Sequence, residues 1–294
     1  MSIRASEHNR GAEHSPNTEH ATCPYCGLDR PLPWAVENGF SAVKCGGCGI
    51  IYVSPRPRRE FVIAGVETGV HTDVDGGRSV IGRRAKWKSD RYRQVLGGMF
   101  RDVWTAGRPV RWLDVGAGFG EVVEAVSGLA PPGSVVEGIE PMGPKARAAQ
   151  DAGIPVREGY LHPGQAEPYE FISLIHVFSH LPDFRPMMFA MRDSLTKSGE
   201  LYLETGNIAD LRDASEVPTE LDLPDHLVFA GESHMRGYLE EAGFDVVAIE
   251  RGRSDTWLNL AKGIVKRAMG RQVAFVLPGT SRYRALRIRA KRRA

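Results

Sequence analysis

Residues 110–126, VRWLDVGAGFGEVVEAV, constrain the fold more tightly than any other stretch of this 294-residue chain. An apolar, β-prone run ends at Asp114. Glycines follow at alternate positions (Gly116, Gly118, Gly120), and an amphipathic helix opens near Phe119. A strand, a tight turn and a helix in this order set backbone N–H groups and a helix N-terminus beside a ligand's polar groups. Glu121 stands where the dinucleotide motif GxGxxG has its third glycine. A pyrophosphate would be repelled by that carboxylate, whereas a cationic cofactor would not. The next β-prone run, SVVEGIE (134–140), ends in Glu140, about as far from the turn as a ribose-binding carboxylate stands.

Further segments extend the pattern. YEFISLIHVFSHLPD (169–183) reads as a buried strand running into a polar loop, and SLTKSGELYLET (194–205) as a turn and a strand. EAGFDVVAIE (241–250) adds a strand after a helix, and DTWLNLAKG (255–263) alternates enough to be the last strand. Strands recurring with helices between them predict an α/β fold with a parallel, doubly wound sheet. A hydrophobic content of 42% is enough for a full core. No apolar run reaches the roughly 18 residues of a membrane span. The start of the chain has no apolar signal region, and its polar makeup predicts a disordered tail over residues 1–20. His8, His14 and His20 are then solvated rather than metal-binding.

All four cysteines fall in two knuckles, CPYCG (Cys23, Cys26) and CGGCG (Cys45, Cys48), spaced C-x2-C-x18-C-x2-C. That spacing suits one tetrahedral zinc ion, and four thiolates close its coordination sphere, so the metal is structural. Disulfides are the competing reading, set against a cytosolic chain whose thiols stay reduced. A redox role would need two CxxC pairs to fall at ribbon spacing by coincidence. The residues around the knuckles carry only a thin basic cluster (Arg56, Arg58, Arg59), which argues for a folding staple or a lid over a nucleic-acid module.

LDVGAGFG, GIEP, the IHVFSHLPD loop and KSGELYLET together resemble class I S-adenosylmethionine-dependent methyltransferases, over roughly residues 80–260. With CPYCG…CGGCGIIYVSPRP in front, the chain is similar to the subgroup with an N-terminal zinc-binding domain, common among enzymes acting on sugars and secondary metabolites. The resemblance implies a seven-stranded Rossmann-like sheet with a small zinc ribbon. It divides the chain into a tail (1–20), the ribbon (21–58), a helical linker or lid (59–108), the cofactor-binding domain (109–262) and a basic extension (263–294). It places Asp114, Gly116, Gly118 and Gly120 at the cofactor's amino-acid end and Glu140 at its ribose. Glu158, Gly159, Tyr160 and Leu161 fall at the adenine, and His176 and Ser179 at the methionine carboxylate or methyl group. Ser198-Gly199 and Ser179-His180 depart from the family's usual Pro-Gly and Glu-His.

Methyl transfer is an in-line displacement, so the protein supplies positioning and, for a hydroxyl or carbon acid, a base. Histidine is the first suspect for that base. His180 reads as a loop-packing residue and His234 as an exposed residue at a helix start. His226, in LDLPDHLVFAG, matches the base proposed for sugar C-methyltransferases, with Asp225 as its neighbour; His176 is the next candidate. The implied partner is a small-molecule or glycan acceptor. Two other readings stand beside it: a zinc-containing RNA methyltransferase and a non-catalytic binding protein of the same fold. Net charge is only +2, yet residues 256–294 hold eleven Lys/Arg and no Asp or Glu. This block reads either as an extension docked on the sheet by its apolar side or as a contact to an anionic membrane or lipid-linked glycan on an otherwise cytoplasmic protein.

Overall fold

The computed structural model describes residues 17–73, 76–79, 81–164, 167–253, 257–268 and 276–293. His8 and His14, and with them most of the expected disordered tail, lie outside the described residues. The last part of that tail is built in: Thr18–Glu19 pairs antiparallel with Arg56–Pro57, and His20 meets Asp29 at 3.1 Å.

The N-terminal module begins with β1 (Pro31–Glu37), β2 (Phe40–Cys45) and β3 (Ile51–Val53), paired antiparallel in that order. Asn38 and Gly39 turn the first hairpin, both with positive φ (51° and 79°), the conformation that an Asn-Gly pair adopts most readily. Helix α1 (Arg59–Thr68), a short hairpin (Val70–Asp73 with Gly76–Ser79), α2 (Lys86–Met99) and α3 (Arg101–Ala106) follow. The larger layer then runs β4 (Arg111–Val115), α4 (Glu121–Ser127), β5 (Val135–Glu140), α5 (Gly143–Asp151), β6 (Val156–Glu158), β7 (Tyr169–Ile175), α6 (Arg185–Ser194) and β8 (Leu195–Gly206). A short β9 (Val228–Phe229), α7 (Glu232–Glu241), β10 (Phe244–Arg253), α8 (Trp257–Ala268) and β11 (Arg284–Arg292) complete it.

Seven strands form one sheet in the order β6-β5-β4-β7-β8-β11-β10, with β11 antiparallel to both of its neighbours and the other strands parallel. The order reverses between β4 and β7, and the crevice beyond the carboxyl ends of those two strands is where ligands sit in such sheets. Buried apolar side chains cover both faces, with Trp112 and Phe171 stacked and Phe100 edge-on to both on one, and Leu113, Ile172 and Leu203 on the other.

The last strand is not where the sequence placed it. The described part of DTWLNLAKG enters α8, because Trp257, Ala261, Ile264, Val265 and Ala268 repeat at three- and four-residue spacing over three turns. A helical period sustained that long outweighs a brief alternation. The seventh strand comes from the basic segment, RALRIRAKR, whose Ala285, Leu286, Ile288 and Ala290 are buried. Residues 284–292 are therefore part of the central sheet, not an appendage. Two of their arginines are internally bonded: Arg289 to Glu200 and Asp102, Arg292 to the Arg192 and Leu195 carbonyls. Residues 269–275 of the same segment lie outside the described residues.

β9 joins the other sheet. It pairs antiparallel with β3, giving a four-stranded order β9-β3-β2-β1. The stretch LDLPDHLVFAG is thereby fused to the cysteine-bearing module. No helix among the described residues is long and apolar enough to cross a membrane.

Candidate active site

The three glycines of the first turn have φ of 73°, 55° and 80°, a region that costs other residues. A side chain at Gly116 would strike Val177 and one at Gly120 would strike Ile154, whereas Gly118 faces open space. Gly118 is thus the point where a ligand can approach the backbone. Glu140, buried at the end of β5, holds this turn: its carboxylate accepts the Gly118 N–H at 2.7 Å and the Met142 N–H at 2.9 Å.

Asp114 is buried at the end of β4 and accepts a 2.5 Å hydrogen bond from the Ser173 hydroxyl, which accepts the Trp112 indole N–H at 2.9 Å. Burial pushes the Asp114 carboxyl up to about 7; the Ser173 bond offsets part of this, and the nearby Glu140 and Glu121 carboxylates add to it. Three acidic side chains around one Gly-rich turn repel an anion and favour a cation there. At the turn itself that disfavours a pyrophosphate and suits a sulfonium or ammonium group.

These residues open into a cleft of about 400 Å³ that Asp114, Gly116, Gly118, Glu140, Gly159, Tyr160, Leu161 and His176 all line. Two expected contacts are absent from its walls. Glu158 turns away and pairs with Arg147 at 3.1 Å, while Ser179 is engaged through its carbonyl, which accepts the Leu227 N–H. The sequence reading also missed a wall. Arg83, Lys88 and Tyr92 reach the cleft from α2 and the segment before it, and Met142 and Lys145 from the start of α5. Lys88 and Tyr92 stand four apart, one face of a helix, but nothing local says that this face meets the turn. Lys88 approaches the buried Glu121 at 3.9 Å.

The histidines rearrange the expected roles. His180, read as loop packing, lines the cleft, and its Nδ1 meets the Asp225 carboxylate at 2.9 Å and the Asp225 carbonyl at 3.0 Å. Burial alone would lower the His180 pKa, but the Asp225 contacts outweigh it and hold the ring above its ordinary value. Asp225 also lines the cleft. His226 does not. It lies behind His180, ring centroids 4.7 Å apart, and its Nδ1–H donates to the Leu221 carbonyl at 2.7 Å. Burial and the neighbouring His180 push His226 down to about 3. A ring so reluctant to take a proton is a poor base near neutrality; the Asp225 charge raises it only in part, and the Asp225 hydrogen bond goes to His180. His176, at φ 56°, projects into the cleft with Nε2 3.7 Å from the buried Glu204; desolvation lowers its pKa. His234 is buried and not exposed: its Nδ1 accepts the Gly231 N–H at the start of α7, and its Nε2–H donates to the Cys48 carbonyl.

The four cysteine sulfurs gather within 4.8 Å of one another, with Cys23–Cys48 at 3.5 Å and Cys26–Cys45 at 3.6 Å. A tetrahedron of ~2.3 Å zinc–sulfur bonds has edges of roughly 3.8 Å, so this set fits one such ion. The Cys26 and Gly47 N–H groups point at the Cys23 and Cys45 sulfurs, and Gly27 and Gly49 turn with positive φ. The cluster is docked firmly: Arg185 donates to the Pro24 and Tyr25 carbonyls, and Tyr25 packs edge-on against His234 and Tyr238 of α7.

Comparison with known proteins bears on the fold and the family. A candidate sarcosine dimethylglycine methyltransferase from Galdieria sulphuraria superposes with a TM-score of 0.53 at 15% identity, covering 80% of this chain and 97% of that one. A SAM-dependent methyltransferase from Archaeoglobus fulgidus gives 0.47 at 18%, over 68% and 94%. Magnesium protoporphyrin IX methyltransferase from Synechocystis PCC 6803 gives 0.42 at 15%, over 69% and 79%. No curated protein matches the sequence. The family model for a methyltransferase domain matches residues 87–249, more than half of the chain. From the strand order, the acidic Gly-rich turn and that match, the chain belongs to the methyltransferase-domain family of S-adenosylmethionine-dependent enzymes.

Proposed function

We propose that this protein methylates a hydroxyl or carbon acid of a small sugar, glycan or secondary-metabolite acceptor, with His180 as the base and Asp225 fixing its tautomer. The observation that carries the reading is the His180–Asp225 pair on the wall of the cleft that also holds the Gly-rich turn. S-adenosylmethionine, when bound, supplies an electrophilic methyl group on a sulfonium. Asp114, Glu121 and Glu140 favour that positive charge, and Gly118 leaves room for its approach. Glu140 has oxygen lone pairs left for the ribose after holding two N–H groups, while Tyr160, Leu161 and Met142 offer a half-apolar wall for the base. Asp225 keeps the His180 proton on Nδ1, so Nε2 carries the lone pair and accepts the acceptor's proton. The sugar or secondary-metabolite class is supported by the paired cysteine knuckles ahead of the domain. The internal pairing of Arg289 and Arg292 weakens the RNA alternative.

Two outcomes test this reading. With radiolabelled S-adenosylmethionine and a panel of nucleotide sugars and free sugars, label should pass to an acceptor. Glu140→Ala should weaken cofactor binding by ~1–3 kcal/mol through loss of charge-assisted hydrogen bonds. Binding of NAD with no affinity for S-adenosylmethionine in calorimetry would overturn it.

The cysteine cluster supports one structural zinc per chain, held by Cys23, Cys26, Cys45 and Cys48. Cys45→Ser should release the metal in elemental analysis and loosen the N-terminal module, with S-adenosylmethionine affinity largely kept. Protein free of zinc and iron after careful purification would reject the site.

A further inference from the structure

The loop that delivers Asp225 is held at both ends by the N-terminal module, alongside the Leu227 N–H bond to the Ser179 carbonyl and the His180 contacts to Asp225. At its start, Glu37 closes β1 and is buried, with one carboxylate oxygen accepting the Leu221 N–H at 2.9 Å and the other the Leu223 N–H at 3.1 Å. Its neighbour Asn38 donates from Nδ2 to the Leu223 carbonyl at 2.7 Å. At the loop's end, Val53 N–H donates to the Leu227 carbonyl, and β9 pairs with β3. Between these anchors the chain turns through Asp222 at φ 61°, and His226 N–H closes the turn on the Asp222 carbonyl. The β1–β2 hairpin thus spans from the cysteine cluster, where Pro31 pairs with Cys45, to the loop behind the catalytic pair.

A carboxylate buried on two backbone N–H groups is an expensive fastener where an apolar contact would serve for packing alone. What it supplies is direction. Two hydrogen bonds to alternate residues fix both the position and the rotation of the segment leading into Asp225. We propose that Glu37 is a positioning residue for the His180–Asp225 pair, so that the N-terminal module acts on catalysis by bracing the loop that carries Asp225. This rests on the reading of His180 as the base.

The experiment needs no acceptor. In the full-length protein, the His180 ring is titrated by proton–carbon NMR, its signal assigned from the His180→Gln spectrum, with S-adenosylmethionine affinity measured in parallel. The groups that face His180 are Asp225, His226, His176 and Lys145, and only Asp225 raises its pKa. Asp225→Asn should lower the His180 midpoint by about one unit or more, the effect of a lost neighbouring carboxylate. Glu37→Ala should move it in the same direction, and Glu37→Gln, which keeps one acceptor oxygen, by less. Cofactor affinity should stay within about twofold in both Glu37 variants, because Glu37 does not line the cleft. A His180 midpoint unchanged in both Glu37 variants while Asp225→Asn shifts it overturns the brace. If Asp225→Asn itself leaves the midpoint in place, the pairing fails, and the base assignment with it. Should Glu37→Ala not fold, Glu37→Gln is decisive alone.

Discussion

His180→Gln is expected to lower turnover by ~10²–10⁴, the usual worth of a positioned general base, while leaving S-adenosylmethionine affinity nearly unchanged. The same substitution at His226 should cost far less, because that ring is spent on the Leu221 carbonyl and is already neutral down to about pH 3. The pH profile follows from the sign of the His180 shift. Its pKa is raised, and only the unprotonated ring can accept a proton, so turnover should climb as pH rises through a midpoint above 6.5. In Asp225→Asn the climb should begin at lower pH, with a reduced plateau because the tautomer is no longer fixed. A His180→Gln enzyme of undiminished activity with its true acceptor would reject the assignment and leave His176 as the next histidine in the cleft.

The parts of this site that were legible in the sequence are local ones. LDVGAGFG reads directly because a strand, a turn and a helix are contiguous, and glycine is demanded where φ is positive and a neighbour leaves no room. Glu140 reads nearly as well, one strand further along. The proposed catalytic pair was not legible, since His180 and Asp225 lie 45 residues apart and meet where β9 joins the N-terminal sheet. Sequence adjacency suggested Asp225 with His226, yet in the turn the Asp225 carboxylate hydrogen-bonds His180 while the His226 ring donates to the Leu221 carbonyl. His234 misled for a related reason: an amphipathic helix start looks solvent-facing until the Cys48 carbonyl is found beneath it. Lys88 and Tyr92 were unreadable because their helix precedes the sheet and its facing partner is set by tertiary packing alone.

The second large effect is expected at Arg289, in the strand that the sequence concealed as a basic extension. Charge there suggested solvent, but β11 lies between β8 and β10, and the Arg289 side chain is only 9% exposed. Its guanidinium donates to Glu200 at 2.5 Å, to both Asp102 oxygens at 2.6 and 2.8 Å, and to the Met99 carbonyl at 2.9 Å. It also lies 4.5 Å from the centre of the Phe100 ring. Only a planar fork can make these contacts together, so a lysine would not replace it. Arg289→Met leaves Glu200 and the Met99 carbonyl without their donor, and breaking such a pair costs about 3–5 kcal/mol. At roughly 2–4 °C per kcal/mol for a domain of this size, the melting temperature should fall by roughly 6–20 °C. Acid should narrow the gap. Hydrogen bonds from Arg289 hold the Asp102 carboxyl below its ordinary range, so its contribution is present above the unfolded carboxyl pKa and is lost as pH falls through the folded one. The gap between the thermal melts of the two proteins should therefore shrink below about pH 4 without closing, because the bonds to Glu200 and the Met99 carbonyl remain. A variant that melts with the wild type at neutral pH would show that the sheet repacks without this network.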